Sequence, residues 1–142
     1  MGRTRRTIAI ALAAGLWAGA IAAHAAVLTQ SDSNGWRIPA GAADQPNPIA
    51  VTPAVIAKGQ SIYKSKCQKC HGETGIGNGP DADRDHPPGD LTDAKRASRN
   101  PDGVMFYKVW EGRKDPKMPA FKTDISRDEV WTVIQYVKTL RK

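Results

Sequence analysis

Cys67-Gln68-Lys69-Cys70-His71 places two thiols three residues apart and a histidine directly after the second. C-x-x-C-H is the spacing by which a chain is fastened to a c-type haem. On one helical turn each thiol can add across one of the two porphyrin vinyl groups. His71 then lies under the iron, where a neutral imidazole nitrogen serves as the proximal ligand. Three other readings of these residues are weaker. A dithiol of the thioredoxin type needs a βαβ context that the chain lacks. A zinc site would have to recruit Cys67, Cys70, His71 and His86, but adjacent Cys70 and His71 point apart on a helical turn. A plain disulfide leaves His71 without a role. One motif means one covalent haem c, and with only His24 and His86 besides there is little scope for a bis-histidine centre.

Before the motif, Thr52 is suited to cap a helix whose first position is Pro53. Val55, Ile56, Gly59, Ile62 and Tyr63 then recur at helical spacing up to Cys67. Beyond it, Gly72 to Gly89 is dense in breakers and supports no regular element. A long loop inside a small domain is usually functional or wrapped around something. Asn100 as cap and Pro101 in the first turn open another helix through Val104, Tyr107 and Trp110, stopped at Gly112. The final helix has a capping box, Ser126 with Glu129, and a hydrophobic staple, Ile125 with Val130. Its expected buried stripe is Val130, Ile134 and Val137, with Trp131, Tyr136 and Leu140 beside it. No alternating strand pattern of useful length occurs, so the expected class is all-α. The folded part is about ninety residues, a size that often leans on a cofactor to complete its core.

The sixth iron ligand decides between electron transfer and chemistry on small molecules. Candidates are Met118, Met105 and His86. Met118-Pro119 sits in an irregular loop, from which a thioether can swing over the far haem face. Met105 lies within a helical pattern, where a core role is usual. His86, between Asp85 and Pro87, reads as surface. Met118 is the expected ligand, with His86 or an open position as the alternatives.

Together these pieces resemble a class I monohaem c-type cytochrome of the small bacterial kind. The matching residues are Lys58-Gly59 to Tyr63, Cys67, Cys70 and His71, the glycines 75, 77 and 79 with Pro80, and Pro87-Pro88-Gly89-Asp90-Leu91. Gly112-Arg113, Met118-Pro119 and the last helix from Trp131 to Leu140 complete the match, which covers about ninety of 142 residues. The resemblance implies three to five helices wrapped around one covalently attached haem, with Gly59 where the first and last helices cross. It also implies a proline carbonyl, from Pro87 or Pro88, that accepts a bond from His71 Nδ1. Trp110 and Arg113 are candidates to hold haem propionates, with core packing as the other role for Trp110.

The N-terminus carries Arg3, Arg5 and Arg6, then an uncharged Ala-rich run to Ala23-His24-Ala25. These are the parts of a secretory signal peptide, expected to be cleaved after Ala25. The division expected is a signal peptide over 1–25, an extended arm over 26–51, and a cytochrome domain over 52–142. Export of the Sec type to the periplasm suits haem attachment to an unfolded chain, and membrane contact is expected only if the segment stays uncleaved. The arm is punctuated by Pro39, Pro46 and Pro48, and its apolar anchor Trp36 is expected to tuck against the domain.

The full chain has net charge +7, and loss of the three leader arginines leaves a mild +4. That suits an acidic redox protein better than nucleic acid. Lys58, Lys64, Lys66, Lys69, Lys114 and Lys117 fall near the motif or the methionine loop and are candidates for a steering collar. With both axial positions closed, the chain is expected to be an electron carrier with no small-molecule substrate, not an enzyme. The alternatives are a dedicated haem subunit of a periplasmic oxidoreductase, and a peroxidase or gas-binding protein with an open sixth site.

Overall fold

Local capping chemistry starts most helices of the computed structural model, which describes residues 29–31 by backbone and residues 35–142 in full. The expected signal peptide over 1–25, its cleavage site and His24 lie outside the described residues. Helix α1 spans Pro53–Lys66 and begins as expected, with Thr52 Oγ1 accepting from Val55 N–H at 3.2 Å. The single turn α2, Gln68–His71, follows directly. Helix α3, Ala94–Ser98, is too short to show a period in the sequence. Asp93 opens it by accepting from the Lys95 and Arg96 N–H groups. Helix α4 spans Asp102–Glu111, one residue later than expected. Pro101 is its cap, because the Asn100 side chain is engaged elsewhere: it donates to Arg96 O and accepts from Lys108 Nζ. Helix α5, Arg127–Thr139, carries the complete Ser126–Glu129 capping box.

The strands among the described residues are β1, Thr29–Ser31, and β2, Arg37–Pro39, paired antiparallel with Gln30 opposite Ile38. At three residues each they leave the helical class unchanged. A 3-10 turn over Ala42–Asp44 follows them.

The largest helix contact is α1 on α5. It requires Gly59, since a Cβ there would stand 2.6 Å from Thr132 O and 2.8 Å from Tyr136 Cβ. Ile62 and Tyr63 of α1 meet Val133, Tyr136 and Val137 of α5 in one apolar cluster. Phe106 of α4 meets Val130, Trp131 and Ile134 of α5 in a second, with the Phe106 and Trp131 rings stacked at 4.3 Å. Helix α5 is buried well beyond the expected stripe: every residue from Val130 to Val137 is inside, Thr132 and Gln135 included. It is covered by α1, by α4 and, unexpectedly, by the arm.

The described part of the arm packs on its own domain. Trp36 is 8% exposed. Asn47 Nδ2 donates to Trp131 O at 2.8 Å, Gln135 Nε2 donates to Ile49 O at 2.5 Å, and Ile49 packs on the Phe106 cluster. These contacts seat the arm on the helices that follow it, as expected for Trp36. Among the described residues no helix is long and apolar enough to cross a membrane.

Candidate functional site

Cys67 is the joint between α1 and α2, and its backbone arranges the whole motif. Its N–H donates to Tyr63 O at 2.9 Å as the last bond of α1. Its carbonyl then accepts from Cys70 N at 3.1 Å and His71 N at 2.9 Å, which closes the turn of α2. Cys67 and Cys70 thus stand one helical turn apart, and both are free thiols. Burial, then the neighbouring Cys70, push the Cys67 thiol up to about 12. A raised value is the direction that burial gives a thiol, opposite to the depressed value of reactive dithiols. Among the described residues no three His, Cys, Asp or Glu side chains gather as a metal-binding group, which removes the zinc alternative.

The breaker-rich loop after His71 is wrapped on this turn. Gly77 N donates to His71 O at 2.8 Å, Gly79 N to Cys70 O at 3.1 Å, and Asp81 N to Lys69 O at 2.8 Å. Three successive carbonyls left open by a helix end are thereby satisfied by alternate residues of the loop. The loop is also tied at Tyr63, whose buried hydroxyl donates to Gly72 O at 2.7 Å. Ile76, between the two glycines, is left 47% exposed beside the attachment turn.

The His71 imidazole is buried, which lowers its pKa and favours the neutral form that ligates iron. Nδ1 is buried with no partner at hydrogen-bonding geometry. The backbone group that bears on the ring is that of Gly89, which opposes the lowering. Pro87 and Pro88, expected from the resemblance, are not in that place: the Pro88 carbonyl lies where a Cβ on Gly77 would stand. The Gly89 contact is an approach rather than a completed bond.

Met118 is half-buried in the loop between α4 and α5. Arg113 N donates to Met118 O at 2.9 Å and Met118 N to Arg113 O at 3.0 Å, closing a narrow antiparallel bridge. Gly112 makes the loop possible: it has φ 61°, and a Cβ there would stand 2.5 Å from both Ala120 N and Met118 O. Phe121 N donates back to Val109 O at 3.1 Å and secures the exit. Met105 is committed elsewhere, packed against both apolar clusters with Arg141 Nη2 3.2 Å from its sulfur. His86 is on the surface, 3.7 Å from Asp83.

The remaining candidates divide. Trp110 lies in the aromatic stack, 5.7 Å from the Phe106 ring and under the Arg127 guanidinium. The Arg113 guanidinium stands 4.3 Å from the centre of the Trp36 ring, a contact across 77 positions that no local pattern announces. Of the six lysines near the site, Lys58, Lys66 and Lys69 pair with Glu129, Asp124 and Asp81 at 3.9–4.0 Å. Such exposed pairs contribute about 0–1 kcal/mol each, yet they halve the uncompensated charge of the collar.

The donor set suits a covalently attached haem: a free thiol pair one turn apart, a buried neutral imidazole beside it, and a half-buried loop thioether. A family model described as cytochrome c oxidase, cbb3-type, subunit III matches residues 54–137. Among solved structures, a chain of the Kuenenia stuttgartiensis reducing HAO-like protein complex Kustc0457/Kustc0458 is similar at 34% identity and TM-score 0.59. That match covers 67% of this chain and 47% of the other, so the present chain spans about half its length. The c-type cytochrome KustC0563 is similar at 26% identity and TM-score 0.52, over 59% of this chain and 98% of its own. No curated protein matches the chain.

Proposed function

The chain belongs to the family of c-type cytochrome domains described by that model and carries covalently bound haem c, and from this we propose that it is a periplasmic one-electron carrier with His71 and Met118 as axial ligands. The observation that carries the reading is the contrast between the two methionines. Met118 rides half-buried on a pinned loop, whereas Met105 is held in the core and beside Arg141.

Bound haem supplies a one-electron ferric–ferrous couple whose potential a thioether ligand raises. Cys67 and Cys70 hold it by thioether bonds to the end of α1. His71 presents an imidazole whose burial favours the neutral, ligating form, with the Gly89 backbone opposing that shift. Met118 would supply the second protein ligand to the iron and leave no vacancy for oxygen or peroxide, so the carrier role is favoured over an enzyme. The 77–81 loop seals the attachment turn and leaves Ile76 at the surface as an apolar point for electron exchange. Uncompensated lysines around the site suit an acidic redox partner.

The test is optical. Expressed with a haem-attachment system, the exported chain is expected to show a low-spin c-type spectrum with the far-red sulfur-to-iron band. Met118→Ala is expected to abolish that band and create CO binding that the parent lacks. A high-spin parent, or unchanged CO behaviour in the variant, would remove Met118 from the iron and move the function to ligand binding.

A second reading, a dedicated haem subunit of an oxidoreductase, is favoured by the likeness to a chain of the HAO-like complex. Recovery of the native chain in fixed stoichiometry with a catalytic subunit would establish it over the diffusible carrier.

A further inference from the structure

We propose that the N-terminal arm is a brace for the methionine loop, with Trp36 the positioning residue that holds Arg113, and through it Met118, in the ligating arrangement. The inference rests on the reading of Met118 as sixth ligand.

The loop is secured at its base, by Gly112 and by the Phe121–Val109 bond, and across its waist by the Arg113–Met118 bridge. Its tip is different. Lys114, Asp115 and Lys117 are exposed, and the tip's neighbour on the far side is the arm. The Asp115 carbonyl stands 3.4 Å from where a Cβ on Gly35 would be. The next residue, Trp36, is buried and presents its ring to the Arg113 guanidinium at 4.3 Å, with Lys108 Nζ 5.0 Å from the same ring. Arg113 is the bridge partner of Met118 by both backbone bonds, so fixing its side chain fixes the strand that carries the ligand.

A brace must itself be fixed, and the arm is. Gly103 of α4 has no side chain because the Ala42 carbonyl fills the space a Cβ would take, with Gln45 Cβ 2.8 Å away. Farther along, Asn47 and Ile49 are bonded to α5 through Trp131 O and Gln135. The arm is therefore held on α4 and α5, and its leading end rests on the loop. A cation–π contact at a buried ring is large enough to change a loop-opening equilibrium by about tenfold.

The experiment measures imidazole binding to the ferric holoprotein, read by loss of the far-red band, alongside the guanidinium midpoint for global unfolding. Trp36→Ala is expected to keep the c-type spectrum without imidazole and to bind it about tenfold more tightly, the order of one such contact. Trp36→Phe, which keeps an aromatic face, is expected to stay within about threefold of the parent. Arg113→Gln is expected to match Trp36→Ala, with the double variant adding nothing further. Should Trp36→Ala fail to fold, Trp36→Leu, which keeps the bulk without the aromatic face, Arg113→Gln and their double variant carry the same comparison. Unchanged imidazole affinity in a parent-like spectrum, or fully additive effects of the two residues, would overturn the brace. A parent that lacks the far-red band would instead overturn the Met118 ligation on which it rests.

Discussion

Gly59 and Met118 show how much a single position carries in this molecule. At Gly59 the obstruction to a side chain is a backbone carbonyl of α5 and the Cβ of Tyr136, neither of which has a rotamer to change. Gly59→Ala is therefore expected to force α1 and α5 apart and cost about 1–3 kcal/mol, the range for overpacking a close contact. Thermal unfolding of the holoprotein measures it, and an unchanged midpoint would mean the helices meet elsewhere. The place of Gly59 at the crossing of the first and last helices was implied by the family resemblance. Gly89 was not. The resemblance directed attention to the prolines before it, whereas the backbone path of the loop brings the next residue to His71. A one- or two-residue shift in a loop rich in Gly and Pro changes no local pattern, so only the loop's long-range bonds reveal it.

At the scale of elements, α5 is the clearest case of local chemistry carried into a tertiary role. Ser126 Oγ accepts from Glu129 N at 3.2 Å, and Glu129 Oε2 accepts from Ser126 N at 3.0 Å. Those bonds, together with the nearby Lys58 and Lys66, lower the Glu129 pKa below its ordinary 4.5. The contribution of the charged box is therefore present above pH 4.5 and is lost as pH falls through the lowered folded value. Glu129→Gln preserves the shape of the box without the titration. Parent and variant are expected to differ most above pH 4.5 and to converge in acid, as chemical denaturation across that range will show. A pH-independent difference would mean that the box is held by shape alone. The start of this helix was legible because a cap lies within three residues of what it caps. Burial of Thr132 and Gln135 was not, since two polar residues give no sign in sequence that Thr132 meets Gly59 of α1 and that Gln135 bonds to Ile49 of the arm. Helix α4 began one residue late for a similar reason: the Asn100 side chain was taken by Lys108, eight residues on.

For the molecule as a whole, the arm decides where the domain begins. Its anchors, Asn47 to Trp131 O and Gln135 to Ile49 O, join positions 84 and 86 residues apart. Gln135→Leu is expected to leave the Ile49 carbonyl buried and unpaired, at a cost of about 1–3 kcal/mol, and to open the arm to limited proteolysis near residue 49. Unaltered cleavage would mean that Asn47 and Trp36 suffice to hold the arm. By itself the sequence determined the attachment turn, the capped helices on either side, the helical class and the haem. Each of these follows from side chains acting on backbone or cofactor within a few residues, where spacing is geometry. The tertiary structure alone decided that Gly89 rather than a proline approaches His71, that Arg113 stacks on Trp36, and that the arm belongs to the core. Those contacts join segments far apart in the chain, and their partners are selected by how α1, α4 and α5 stack, which no short-range spacing encodes.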